Sequence, residues 1–236
     1  MSGIIGYSII NEPTPKVIGT NNFASVEEQN ASKDMGEKLV EVKVTFKNKE
    51  ESDITNGKVK ATYTLPRLFL EDKEYTVLNN EIESNARSVF ATLKKPMIDS
   101  VESNYEFIVT NKVYDEVLKT KQIVSMVVTD KMLDQNSKKT TYLKVKSYNF
   151  NVTNREDISS KEAALEIYGV EYKTKVEDSI NAHLISRSMK KVDNDKYIYS
   201  GLENWYIQEG QMHIVLNPGE AVAEKFGVVD VAIPLS

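Results

Sequence analysis

The chain has 236 residues, 40 % of them hydrophobic, so it is long enough to bury one large core or two small ones. Its 35 acidic and 30 basic side chains give a formal net charge of -5, which argues against a nucleic-acid-binding surface and mildly favours a basic partner. The absence of cysteine excludes disulfides, thiolate nucleophiles and cysteine-based zinc or iron-sulfur sites.

Residues 1–38 are predicted to form an N-terminal strand or arm followed by a linker. Residues 3–10 are apolar, but they are too few to span a bilayer and lack the basic flank and cleavage pattern of a signal peptide. They are interpreted either as an edge strand added to the folded domain, which we favour, or as the remainder of a membrane segment. Residues 11–37 are rich in Asn, Pro, Ser and Glu, which is typical of a linker.

Residues 39–66 alternate apolar and polar side chains, which predicts two strands that each bury one face. Asn56-Gly57 is a turn signal, so these strands are predicted to form a hairpin with a long polar connection. The second strand of this hairpin is predicted to end at Pro66. Residues 77–95 change to a helical period, and Pro96 is expected to stop that helix nearby. Together, residues 39–103 are predicted to form a small N-terminal α+β part.

Three strands are predicted next, over residues 104–116, 121–129 and 142–150, with turn chemistry in the polar run 134–139. A second long helix is predicted over residues 171–191. The fold class is therefore α+β, with an antiparallel sheet and two main helices packed on one face of it. Residues 104–236 are predicted to form the C-terminal α+β domain.

The chain ends with a distinctive sequence of elements. Residues 204–218 predict two short strands joined by a Gly turn, and residues 228–234 predict a closing strand stopped by Pro234. With Tyr148-Asn-Phe-Asn151 and the helical segments 161–167 and 170–191, this ending resembles the C-terminal domain shared by RsiV-type anti-sigma factors and the non-catalytic part of PdaC-type peptidoglycan deacetylases. Residues 39–97 resemble the smaller domain that usually precedes it.

The resemblance implies an extracytoplasmic domain that binds rather than catalyses, at the cell surface or anchored to the membrane by a segment outside this chain. It implies a role in signalling, with lysozyme as the ligand of the best-known members. The Lys-, Asn- and Ile-rich composition is typical of a Gram-positive source. A protein or cell-wall ligand of basic character is the expected partner, and the sequence sets no oligomeric state.

Two segments depart from the family. Thr140-Thr-Tyr-Leu-Lys144 replaces a Gly-Gly-Ala-His-like turn, and residues 220–226 replace a Tyr-containing segment. Because loops that join strands carry recognition, the ligand surface is predicted to include residues 134–139 and 220–226. The predicted binding residues are Asp134, Lys138, Tyr142, Glu220 and Phe226, of which Tyr142 and Phe226 are the expected aromatic anchors.

No signature of a common enzyme class occurs in the sequence, so no catalytic residue, cofactor or metal ligand is predicted. His183 and His213 lack ligand spacing and are interpreted as structural histidines. The acidic pair Glu156-Asp157 is interpreted as solvated, and Trp205 as a core residue.

Three functions remain in consideration. The first is a non-enzymatic sensor or binding domain, and the alternative is a structural subunit of a surface assembly in which residues 1–10 are donated as a strand to the next subunit. The third is a fragment of an enzyme whose catalytic domain lies elsewhere.

Overall fold

The structure, a computed structural model of the chain, describes residues 41–55, 57–98, 104–119, 121–189, 204–219 and 222–234. Within these residues the strands are Val44–Thr55 (β1), Val59–Leu70 (β2), Lys73–Glu74 (β3), Tyr105–Leu118 (β4), Lys121–Asp134 (β5), Lys139–Asn151 (β6), Glu156–Asp157 (β7), Trp205–Gln208 (β8), Gln211–Leu216 (β9) and Val229–Ile233 (β10). The α-helices are Thr76–Ile98 (α1), Ser160–Tyr168 (α2) and Tyr172–Ser186 (α3).

Seven strands form a large, mixed sheet in the order β1-β2-β4-β5-β6-β7, with β3 beside β2. Its neighbouring strands are antiparallel except β2 and β4, whose segments Val59–Tyr63 and Tyr105–Val109 run parallel. Parallel neighbours need a crossover connection, and α1 supplies it between β2 and β4. The prediction of a purely antiparallel sheet was therefore wrong at this one pairing, while the α+β class is confirmed.

The three C-terminal strands form a separate antiparallel sheet in the order β10-β9-β8. The β8–β9 turn places Glu209 at φ 53° and Gly210 at φ 72°. A two-residue hairpin turn with two positive φ angles matches the right-handed twist of its strands, and Gly adopts this conformation without strain. The predicted C-terminal hairpin and closing strand are both confirmed.

The elements pack in layers. On β5, Val124, Met126 and Val128 point to the core shared with α1, while Val127 points to the opposite side and packs with Tyr206 of the small sheet. The other face of the small sheet packs on α2 and α3. The layer order is therefore α1, large sheet, small sheet, then α2 with α3, so the predicted packing of both main helices on one face of a single sheet was wrong.

Element ends differ from the predictions for local reasons. Strand β2 continues through Pro66 to Leu70, because its pairing with β4 ends at Tyr63 and the missing N–H of Pro66 lies beyond that ladder. Helix α1 includes Pro96 near its end. The predicted helix over residues 171–191 is α3, which ends at Ser186 and is separated from α2 by a 3-10 turn over Gly169–Glu171.

The predicted division at residues 103 and 104 lies between two elements of one sheet, since β2 and β4 pair directly. The division into domains stays a prediction, and the predicted arm over residues 1–38 lies outside the described residues. In the described part of the chain, no helix combines the length and apolar character needed to cross a membrane.

Candidate functional site

The predicted binding residues of the β5–β6 turn are polar and held by local bonds. Asp134 is half-buried, and its carboxylate accepts hydrogen bonds from the Asn136 N–H at 2.9 Å and the Ser137 hydroxyl at 2.8 Å. These bonds, that from Ser137 first, lower the pKa of Asp134. Lys138 donates from Nζ to Gln135 Oε1 at 3.0 Å. The turn is thus an ordered, charged projection of the large sheet.

The two predicted aromatic anchors lie in different layers. Tyr142 is half-buried against the core under α1, close to the β5–β6 turn. Phe226 is half-buried against the core beneath α2 and α3, with Lys225 Nζ 5.0 Å from its ring centre. Glu220 lies outside the described residues. The structure therefore groups Asp134, Lys138 and Tyr142 and places Phe226 elsewhere.

Strand β7 pairs with the end of β6, and at Val145 and Ser147 the outer edge of β6 is closed by asparagine side chains instead. Asn217 Nδ2 donates to the Val145 carbonyl at 2.9 Å, and its Oδ1 accepts from the Val145 N–H at 2.6 Å. Asn204 Oδ1 accepts from the Ser147 N–H at 3.2 Å. Both asparagines are buried, at 2 % and 8 % exposure. These three backbone groups of the edge are consequently satisfied in the folded protein.

Side chains of the large sheet in turn form hydrogen bonds with the backbone of the small sheet. Trp205 N–H donates to the Ser147 hydroxyl at 2.8 Å, and the Trp205 carbonyl accepts from Asn149 Nδ2 at 2.8 Å. Further along β8, the Ile207 N–H donates to the Ser125 hydroxyl at 3.3 Å. Because these side chains all come from β5 and β6, the position of Trp205 is fixed by the large sheet.

Beside Trp205 lies a groove of about 300 Å³ between α1, β6 and the start of α2. Ligand pockets typically begin at this size. Its apolar wall combines aliphatic and aromatic groups, contributed by Leu78, Tyr148, Ile158 and Trp205. Its polar groups include Glu81, Lys146, Asn149, Asp157 and Ser160. We call this site the β6–α2 groove.

Several polar groups of the β6–α2 groove have unused hydrogen-bonding capacity. Within the described residues, the Ser160 hydroxyl, the Asp157 carboxylate and the Trp205 indole N–H have no hydrogen-bond partner. Asn149 Oδ1 is a buried acceptor without a partner in the same residues. Tyr148 Oη accepts from Asn85 Nδ2 at 3.0 Å, which leaves its own proton free to be donated. The groove thus combines unused donors with unused acceptors.

The start of α2 fixes the groove wall. Ser159 caps the helix: its hydroxyl accepts from the Glu162 N–H at 3.2 Å, while Glu162 Oε2 accepts from the Ser159 N–H at 2.9 Å. This reciprocal pair satisfies two backbone donors and sets where the helix begins. The bonds from Ser159 lower the pKa of Glu162. Ser160 therefore sits in the first helical turn, on the groove side.

The charges at the groove partly compensate each other. Lys146 Nζ lies 4.0 Å from Glu81 Oε1 and 4.8 Å from the centre of the Tyr148 ring. Burial raises the pKa of Tyr148 to about 12, although the hydrogen bond from Asn85 acts to lower it. The phenol therefore remains a neutral donor at physiological pH.

A second titratable cluster lies between the two sheets. Tyr206 donates to Asp230, His213 Nδ1 lies 3.0 Å from Asp230 Oδ1, and the Tyr206 ring stacks on both His213 and Tyr114 at 4.6 Å. Partial burial opposes ionisation of Asp230, but the bonds from His213 and Tyr206 outweigh it and lower its pKa. Among the described residues, no group of three His, Asp or Glu side chains could hold a metal ion.

The β6–α2 groove was not predicted from the sequence. The predictions that the pair Glu156-Asp157 is solvated and that Trp205 is a core residue are both confirmed, but Ser160 was not among the predicted site residues. The available signal was the pair of asparagines that flank the C-terminal hairpin, Asn204 and Asn217, since both prove to anchor that hairpin beside the groove.

Comparison with known proteins supports the fold alone. No protein-family model and no curated protein matches the chain. The fold is similar to the crystal structure of a DUF3298 family protein from Pseudomonas aeruginosa, with a TM-score of 0.50 and 11 % identity, over 83 % of this chain and 92 % of that one. A DUF3298 family member from Bacteroides fragilis matches with a TM-score of 0.44 and 11 % identity, over 82 % of this chain and 90 % of that one.

DUF3298 family proteins are related to the PdaC/RsiV-type extracytoplasmic domain. The predicted resemblance is thus supported as a likeness of fold at low sequence identity.

Proposed function

We propose that this chain is a non-enzymatic, extracytoplasmic binding domain that recognises a protein or cell-wall ligand, and that the β6–α2 groove is its ligand site. The observation that carries the proposal is the set of unused donors and acceptors beside Tyr148 and Trp205. Binding sites typically combine apolar walls with a few convergent polar groups.

The scaffold around the groove favours binding. Trp205 is held by Ser147 and Asn149 of β6, and Ser160 by the capped start of α2. Groups on strands and capped helices keep their positions, so little conformational entropy is lost when a ligand binds. The extracytoplasmic class and a surface or membrane-anchored localisation are part of the proposal.

A signalling role with lysozyme as the ligand is the most specific form of this proposal. The formal net charge of -5 would draw a basic protein to the domain, and such attraction weakens with salt. The test is a calorimetric titration of the full chain with lysozyme and with peptidoglycan fragments, at 50 and 500 mM NaCl. Saturable binding of either supports the proposal, and the absence of binding to both overturns it.

A second candidate is a structural subunit that accepts a donated strand. The observation that favours it is the position of β1: it lies at one end of the large sheet and, in the described residues, pairs with β2 alone. An open strand edge can add a strand from another chain. Light scattering of the full chain and of a form lacking residues 1–37 tests this. Assembly of the full chain alone supports strand donation, and two monomeric forms at high concentration contradict it.

A further inference from the structure

From the chemistry of the β6–α2 groove we infer that its occupant is a neutral saccharide unit. This inference rests on the proposed binding function and names the ligand class of the same site. It depends on three features of the described residues: the mixture of donors and acceptors, the closed edge of β6, and the paired state of Lys146.

The groove presents donors and acceptors together. Ser160, Tyr148 and Trp205 can donate, while Asp157 can accept. A sugar hydroxyl is both a donor and an acceptor, so a ring with several hydroxyls can satisfy both kinds of group at once. A ligand with acceptors only would leave Asp157 unsatisfied, which is costly when a site is desolvated.

The apolar wall suits the other face of a sugar ring. Leu78 and Ile158 line the groove with the rings of Tyr148 and Trp205. These four side chains are between 3 % and 7 % exposed, so they offer the C–H groups of a pyranose a narrow apolar strip. At about 300 Å³ the groove takes a small unit rather than a long polymer.

An extended peptide fits the site less well. Peptides that bind beside a sheet commonly add a strand to its edge through backbone hydrogen bonds. At this groove the β6 edge is already occupied: Asn204 accepts from the Ser147 N–H, and the Asn149 carbonyl accepts from the Ile158 N–H at 3.1 Å. Strand addition there would have to break both contacts.

An anionic ligand also fits the groove less well, because the lysine that would bind it already has other contacts. Lys146 is the lysine that lines the groove, and it lies beside Glu81 and over the Tyr148 ring. A phosphate or carboxylate would compete with Glu81 and meet the carboxylate of Asp157. A neutral ligand avoids this repulsion, so its affinity should depend little on salt.

The experiment is a calorimetric titration of the full chain with N,N′-diacetylchitobiose and with cellobiose, at 50 and 500 mM NaCl. We expect saturation by at least one of the two below about 10 mM, with an affinity that changes less than about twofold with salt. Ser160→Ala and Asp157→Ala should each weaken binding by about fivefold or more, since each removes one hydrogen bond to the ligand. Glu156→Gln is the matched control, because it alters the neighbouring residue of β7, which does not line the groove.

The inference is overturned if neither disaccharide saturates the wild-type chain, or if Ser160→Ala and Asp157→Ala leave saturation unchanged in chains that remain folded by circular dichroism. Binding of lysozyme without binding of either disaccharide retains the proposed function and overturns the saccharide class. Binding of a short alanine peptide at the groove in place of the disaccharides overturns it as well.

Discussion

The side-chain amide of Asn217 takes the place of a neighbouring strand for Val145. It donates to the Val145 carbonyl at 2.9 Å and accepts from the Val145 N–H at 2.6 Å, although the two residues are 72 positions apart. A strand residue would satisfy the same two backbone groups. The bond pair thus closes the β6 edge and joins the two sheets at one point.

Replacement of Asn217 by Ala should destabilise the protein by about 2–4 kcal/mol, since it leaves a buried N–H and a buried C=O of Val145 without partners. Urea denaturation followed by circular dichroism measures the change. Asn154→Ala is the control, because Asn154 is exposed and its side chain bonds only to Glu156 at 2.9 Å; this change should cost less than about 0.5 kcal/mol. Equal stabilities of the two variants would contradict the role of Asn217.

The contribution of Asp130 to the stability of the folded state is expected to fall as the pH rises. It is 8 % exposed on β5, its Oδ1 has no partner in the described residues, and burial raises its pKa from 3.8 to about 7 against the opposing effects of Lys146 and Lys144. Between about pH 4 and pH 7 the folded state keeps a proton that the unfolded chain releases. The contribution of Asp130 to stability is therefore greatest below about pH 4 and falls as the pH rises to about 7.

Asp130→Asn removes this dependence. At pH 8 the variant should be more stable than the wild type by roughly 1–3 kcal/mol, and the difference should shrink towards pH 4.5. Urea denaturation at pH 4.5, 6 and 8 provides the measurement. If the difference in stability between the variant and the wild type is no larger at pH 8 than at pH 4.5, this carboxyl is charged or paired in the folded protein.

Glu83 of α1 is expected to stabilise the protein in the opposite pH range. It accepts hydrogen bonds from Arg67, from Lys49 Nζ at 3.1 Å and from Arg87 Nε at 3.0 Å, and so joins α1 to β1 and β2. Burial opposes its ionisation, but the bonds from Arg87, Lys49 and Arg67 outweigh burial and lower its pKa from 4.5 to about 2. Its contribution is thus present above about pH 4.5 and lost as the pH falls towards 2.

Glu83→Gln should cost about 1–3 kcal/mol at pH 7, and the difference from wild type should narrow by pH 2.5. Thermal unfolding across this range measures it. Glu81→Gln on the same helix is the matched control: Glu81 is half-exposed with Lys146 4.0 Å away, so less than about 0.5 kcal/mol is expected. A pH-independent deficit in Glu83→Gln would point to packing rather than charge.

Tyr142→Ala and Phe226→Ala test the two predicted anchors. If they belong to the ligand surface, each change should weaken ligand binding by more than about 1 kcal/mol with little loss of fold. Both rings are half-buried against a core, however, so melting temperatures must be measured with affinities. A marked fall in melting temperature with unchanged affinity would assign that residue to the core.

The local parts of the fold could be predicted from sequence. The strands predicted at residues 121–129 and 142–150 correspond to β5 and β6, the polar run 134–139 located their turn, and Gly210 located the C-terminal hairpin. The parallel pairing of Val59–Tyr63 with Tyr105–Val109 could not be predicted, because it joins segments separated by α1 and leaves no local pattern. The positions of the helices in the layers depend on the same kind of long-range contact.

The candidate site could not be predicted for a similar reason. The β6–α2 groove combines residues near 78, near 148–160 and at 205, and no spacing in the sequence brings these together. Considered by itself, Asp157 has the sequence pattern of a surface acid, and Trp205, at 3 % exposure, is as buried as a core residue. Their shared groove arises only when Asn204 and Asn217 fasten the small sheet to β6.

Trp205 is the single tryptophan of the chain and lines the groove, so its indole N–H gives one assignable resonance there. The most direct test of the binding function is a two-dimensional NMR titration of the full chain with N,N′-diacetylchitobiose and with peptidoglycan fragments. We expect a saturable shift of the indole resonance, accompanied by backbone shifts at Asp157 and Ser160. Saturable shifts elsewhere with an unmoved indole resonance, or no shift with any of these ligands, would show that the groove is not the ligand site.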